Sequence, residues 1–214
     1  MDHDGLVERW PLPLARTRSL ALGVLSRYAE ATRHYHDLRH LREVLDAVEL
    51  LLDDEGESDA GGPAPDDLAL RLAAWFHDAI YDSRRADNEA ASADLARRQL
   101  TAAGLDQPCV EEVVRLVVVT ADHVVRPGDR AAAVLCDADL AILGGTPQRY
   151  AEYAAAVRRE YAHVDPHDFR RGRTAVLERL LRLDPLFRTA TGRARWEAAA
   201  RHNLSVELAA LRAG

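Results

Sequence analysis

Only two cysteines, Cys109 and Cys136, occur in the 214 residues. So few exclude a disulfide scaffold and a thiolate zinc site, and both are read as small buried hydrophobes. No stretch approaches the ~20 consecutive apolar residues that a membrane-spanning helix needs. The leading residues MDHDGLVERWPLPLARTRS carry acids and lack the apolar centre of a signal peptide. A soluble, cytoplasmic chain with no membrane partner is therefore expected. A basic surplus is missing too: the formal net charge is -7, which argues against a general nucleic-acid binder, whose phosphate contacts need a basic face. A small anionic substrate stays compatible with that charge if a metal supplies local positive potential. With no internal repeat and no break in composition, residues 1–214 read as a single domain.

Alanine, leucine and arginine dominate, and apolar residues recur at spacings of three and four, so the expected fold class is all-α, with about eight helices. The first helix is read over 18–28 and the second over 37–52, with Leu41, Val44, Leu45, Val48 and Leu52 on one face. Residues 53–67, acidic and rich in Gly and Pro, read as a flexible surface loop. The helix over 65–79 is apolar nearly all round and should lie at the centre. Asp87 is the expected N-cap of a helix to Ala103, with Gly104 after its end. Asp106 and Pro108 open the next, in which Val110, Val113, Val114, Val117 and Val118 form a stripe; its β-branched content makes a strand the alternative. Further helices are read over 128–145, closed by Gly144 and Gly145, and over 147–163, 168–183 and 193–212. Tyr150, Tyr153 and Tyr161 line one side of the first of these last three and are read as core.

Within the central apolar run sits WFHDAIY, where His77 and Asp78 are neighbours. Burying either without a partner costs several kcal/mol, and a bound cation would offset that cost. The other candidate ligands are the histidines of RHYHDLRH and an acid of CDADL. Imidazoles and carboxylates without sulfur suit a divalent ion such as manganese, iron, cobalt, nickel, zinc or magnesium. Two residues along a helix rotate the direction by about 200°, so Asp137 and Asp139 cannot both face one point. Taking Leu135, Ala138 and Ile142 as the buried stripe puts Asp139 at its edge and Asp137 well outside. His40 lies in the regular part of its helix, whereas His34 and His36 fall at the break; chelation by His36 and His40 together is the lesser alternative.

A histidine early in one helix, an adjacent His-Asp in a buried later one and an Ala-Asp-Leu further on resemble the H...HD...D signature of the HD superfamily of metal-dependent phosphohydrolases. His40, His77, Asp78 and Asp139 match it in turn. The blocks YHDLRHL, FHDAIYD, DNEAASA, DADLAILG, AVRREYAHV and NLSVEL are similar to a bacterial subgroup of predicted HD phosphohydrolases of about this length. That resemblance implies a helical HD fold around one divalent ion held by those four residues. It also implies hydrolysis of a phosphate ester of a small molecule, a nucleotide among the candidates, by metal-activated water.

Further residues are candidates for lesser roles. Asp82 and Glu89 flank the exit of the central helix and are candidates to orient water or accept its proton, against solvated or capping roles. In several HD proteins later histidines hold a second metal or contact phosphate, which makes His123 a substrate-side candidate. Arg126, Arg158 and Arg173 could grip a phosphate through their forked donors; Arg158 and Glu160 are more simply a surface pair or part of an interhelical salt bridge. Two rival readings stand beside the hydrolase, with a purely structural protein as a weaker third. One is a non-catalytic module that binds metal and nucleotide, and the other a two-iron HD-type oxygenase needing His123 and His163. A homodimer is compatible with the chain, but no exposed heptad singles out an interface.

Overall fold

The computed structural model describes residues 3–55 and 65–213, and every regular element among them is helical. After a short α1 (His3–Val7), α2 (Leu14–Tyr28) begins at Leu14 rather than Arg18, its first turn steadied by the Thr17 hydroxyl donating to the Pro13 carbonyl at 3.0 Å. In α3 (Leu38–Glu55) the expected stripe from Leu41 to Leu52 is buried. It faces α4 (Pro65–Phe76), which is enclosed by α3, α5 (Asn88–Ala102), α6 (Gln107–Val119) and α7 (Arg130–Leu140). Leu70, Leu72, Ala73, Ala74, Trp75 and Phe76 have no exposed surface, so the all-round apolar character of α4 does mark a central helix. Of the acidic loop expected over 53–67, residues 53–55 belong to α3 and 65–67 to α4; residues 56–64 lie outside the described residues.

The valine run of α6 is a helix, and its face is rotated from the one expected. Leu116 is fully buried while Val118 is 48 % exposed. At about 100° per residue, the face centred between Val113 and Val117 lies nearer to Leu116 than to Val118. Gly104, with φ +84°, takes the left-handed conformation expected after α5. Asp87 precedes α5, but its carboxylate turns to the Arg85 guanidinium at 2.9 and 3.0 Å and makes no side-chain cap. Cys136 is buried as expected, whereas Cys109 is partly exposed.

Beyond α7 a 3-10 turn (Ala141–Gly144) leads into a second group of helices: α8 (Pro147–Glu160), α9 (Pro166–Leu181), a short α10 (Ala190–Gly192), a π turn (Arg193–Glu197) and α11 (Ala198–Ala213). Tyr150, Tyr153, Leu177, Leu180, Phe187, Leu204 and Leu208 form their core, and Trp196 packs against both this core and the one around α4. Gly144 is needed for that junction, since a Cβ there would stand 2.5 Å from the Trp196 Cβ. No helix among the described residues is long and apolar enough to cross a membrane.

The central departure is where α4 stops. The apolar run predicts a helix through Ala79, yet α4 ends at Phe76 and places His77 and Asp78 in the turn that follows. The turn is held by Arg33, a buried side chain from the α2–α3 connection. Its guanidinium donates to the carbonyls of Asp78 (2.6 Å), Ala79 (3.1 Å) and His36 (3.0 Å), and it lies over the Tyr28 ring. The Tyr28 hydroxyl completes the bracket by donating to the Trp75 carbonyl (3.1 Å) and accepting from the Asp78 N–H (3.2 Å). A helix end normally leaves carbonyls unpaired. Here the Tyr28 hydroxyl takes the Trp75 carbonyl, and the cation takes two more in the turn beyond.

Candidate metal centre

Three segments meet at one point. His40 comes from the first turn of α3, His77 and Asp78 from the turn after α4, and Asp139 from the last turn of α7. His40 and His77 are each 1 % exposed. Their Nε2 atoms face one another at 3.1 Å, and Asp78 Oδ2 lies 3.3 Å from the first and 3.2 Å from the second. These three residues form a buried group able to hold a metal ion. Donors bound at about 2.0–2.1 Å to one ion stand roughly 2.9–3.4 Å apart, so the separations suit a shared cation. Asp139 stands beside the group, its Oδ1 3.2 Å from His40 Nε2 and 3.7 Å from His77 Nε2.

The proton arrangement favours a ligand role for His77. Its Nδ1 is 2.9 Å from the Ala74 carbonyl, an acceptor only, so Nδ1 carries a proton and Nε2, which faces the group, is the nitrogen whose lone pair is available to an ion. Burial by itself would lower the pKa of His40, but Asp139 and Asp78 outweigh it and raise the value to about 10. His77 is raised for the same reason, burial being outweighed chiefly by Asp78. Burial would raise both carboxylates; instead His77 and His36 hold Asp78 well below the usual range, and His123 and His40 do so for Asp139. Without a cation the positive charge comes from imidazolium. A divalent ion can take its place.

Asp137 corrects the helix-face expectation in part. It and Asp139 do point apart, but Asp137 is not outside the buried surface: it is 1 % exposed. Its carboxylate accepts the Arg188 N–H (2.8 Å), the Thr189 N–H (2.7 Å) and the Thr189 hydroxyl (2.8 Å), tying α7 to the segment before α10. Gly192 makes room, because a Cβ there would meet Asp137 Oδ2 at 2.6 Å. Asp137→Ala is therefore expected to cost about 2–3 kcal/mol of stability while leaving any ion in place, which urea unfolding and elemental analysis together will show. Loss of the ion would contradict this placement.

His36 lies beside the group but does not join it. Its Nδ1 is 2.7 Å from Glu160 Oε2, and its ring stacks on Tyr81 with centroids 3.9 Å apart. Glu160 is no surface partner of Arg158. It is buried, and its Oε1 accepts the N–H groups of His34 (2.8 Å), Tyr35 (2.8 Å) and His36 (3.0 Å). Burial would raise its pKa, yet the His36 ring and these N–H groups bring it down to about 2. Tyr35 and His36 each contact the His40 ring and also line a cleft of ≈ 630 Å³ with Tyr81, Glu89, Tyr161 and Arg173.

The remaining candidates are dispersed. Asp82 is exposed and accepts the Arg84 N–H within its own turn, and Glu89 borders the cleft. Arg158 donates to the carbonyls of Tyr161 and Val164 and covers the Phe169 ring. Arg173 is buried against Glu207 and the Tyr153 hydroxyl, and Arg126 lines a separate cleft beside α7. His123 reaches Asp139, whereas His34 and His163 are exposed. Sequence reasoning missed Arg33 and the buried Glu160, since each has partners far away along the chain and no local pattern. No family model, no curated protein and no solved structure matches the chain.

Proposed function

We propose that the protein is a metal-dependent phosphohydrolase of the HD type, acting on a phosphate ester of a small molecule. The observation that carries this reading is the pair of facing imidazole nitrogens, 3.1 Å apart, with the Asp78 carboxylate within 3.3 Å of both. His40, His77 and Asp78 would hold one divalent ion, with Asp139 as a fourth donor. A bound ion polarises a phosphoryl oxygen and lowers the pKa of water. The adjoining cleft has the volume of a small-molecule site and would take the alcohol portion of the ester.

His36 supplies what the buried carboxylates cannot, a proton donor on the cleft side. Glu160 occupies Nδ1, so Nε2 points away from Glu160, and it has no hydrogen-bond partner among the described residues. As water oxygen bonds to phosphorus, the bond from phosphorus to the alcohol oxygen breaks. That oxygen leaves with the electron pair and takes a proton from Nε2 of the doubly protonated His36 ring, whose Nδ1–H stays on Glu160, and the proton released by the attacking water restores Nε2–H. His36→Ala is expected to slow hydrolysis of benzyl phosphate, a poor leaving group, by roughly 100-fold or more. Hydrolysis of 4-nitrophenyl phosphate should fall much less. Equal losses on the two esters would remove His36 from this role.

The reading itself is tested by elemental analysis of protein purified without chelator or histidine tag, followed by turnover of 4-nitrophenyl phosphate with manganese, cobalt or nickel. About one ion per chain and metal-dependent release of phosphate support it. A stoichiometric ion with tight nucleotide binding and background turnover across phosphate esters would favour a non-catalytic binding module.

A further inference from the structure

His123 is the one residue other than glycine with a positive φ (+57°) among the described residues. An L side chain in the left-handed region crowds its own backbone, and such conformations gather where a side chain must be aimed. The aim here is Asp139: His123 Nε2 lies 3.0 Å from Asp139 Oδ2, while Oδ1 of the same carboxylate faces His40 and His77. The other ring nitrogen, Nδ1, is buried without a hydrogen-bond partner. With an acceptor at Nε2 and none at Nδ1, Nε2 carries a proton and donates it to Asp139. A nitrogen that donates to a carboxylate is not offering its lone pair to an ion, and the buried Nδ1 has no route to one.

We propose that His123 is a positioning residue: its Nε2–H anchors the outer oxygen of Asp139, so that the inner oxygen stays turned toward the His40–His77–Asp78 group. It is then neither a ligand of a second ion nor a contact to substrate. This rests on the reading that the group holds a cation, and it explains why the chain keeps a histidine where glycine would relieve the backbone. A carboxylate free to rotate would spend part of its time turned away from the ion.

The test is manganese(II) titration of the wild-type protein and of His123→Ala, His123→Gly and His123→Gln, with free manganese followed by electron paramagnetic resonance and each variant melted without metal. Both truncations are expected to weaken manganese binding about 10–100-fold with the stoichiometry unchanged at one. His123→Gln, which keeps an N–H donor of similar reach, should recover part of that loss. His123→Gly should melt above His123→Ala, because glycine adopts this φ freely. Alanine binding manganese within threefold of wild type would overturn the positioning role alone. Stoichiometry falling from two to one would make His123 a ligand and overturn it as well. Wild-type protein that binds no manganese, cobalt or nickel would remove the metal reading and this inference together.

Discussion

His77→Ala is expected to abolish ion retention and reduce phosphate-ester turnover to background, the largest functional effect of any single change in this protein. His77 presents its Nε2 3.1 Å from His40 Nε2 and 3.2 Å from Asp78 Oδ2, oriented by its Nδ1–H on the Ala74 carbonyl. Altering an outer-shell partner of a metal ligand costs about 10–100-fold in affinity. Removing one of the three closest donors should exceed that. It also leaves Asp78 with one imidazole neighbour fewer, so metal-free His77→Ala should be less stable than the wild type. Elemental analysis beside a circular dichroism spectrum separates ion loss from unfolding. A folded variant that still carries one ion per chain would refute the assignment.

A second large effect is expected at Glu160, on stability and on its dependence on acid. Glu160→Ala strands three backbone N–H groups and the His36 ring, and should cost about 3–5 kcal/mol, as for breaking a buried charged pair. In the native protein the Glu160 pKa is depressed from 4.5 to about 2. A depressed carboxylate contributes stability that is fully present above the unfolded value and lost as pH falls through the folded one. The window therefore runs from about 4.5 down to about 2, and the contribution is of order ~3 kcal/mol. Glu160→Gln cannot be charged and should show a shallower loss of urea stability over that window. Its amide can still accept the three N–H groups through oxygen, but its NH₂ would face His36 Nδ1 and force the ring proton onto Nε2. Identical acid profiles for Glu160→Gln and the wild type would show that the carboxylate does not clamp the 34–36 segment in ionised form.

Much of the molecule is legible in the sequence because helices announce themselves locally. The stripe from Leu41 to Leu52 and the all-round apolar α4 follow from a period of 3.6 residues, and Gly104 from the conformation that ends a helix. The separation of Asp137 from Asp139 follows equally from rotation about α7. What periodicity does not reveal is which polar side chain waits on the far side. An apolar stripe read as the whole buried surface puts Asp137 outside the core, whereas three donors at Arg188 and Thr189 make burial of its carboxylate tolerable.

By itself, then, the sequence determined an all-helical chain with a central apolar helix read over 65–79 and an imidazole-carboxylate set suited to a divalent ion. Tertiary structure alone decided that α4 stops at Phe76, because the Tyr28 hydroxyl takes the Asp78 N–H and the Trp75 carbonyl and the His77 Nδ1–H takes the Ala74 carbonyl, while Arg33 holds the Asp78 and Ala79 carbonyls in the turn beyond. It alone decided that His36 belongs to Glu160 and that His123 turns to Asp139. Helical period is a property of a few consecutive residues. A buried hydrogen bond joins residues whose separation along the chain carries no signal.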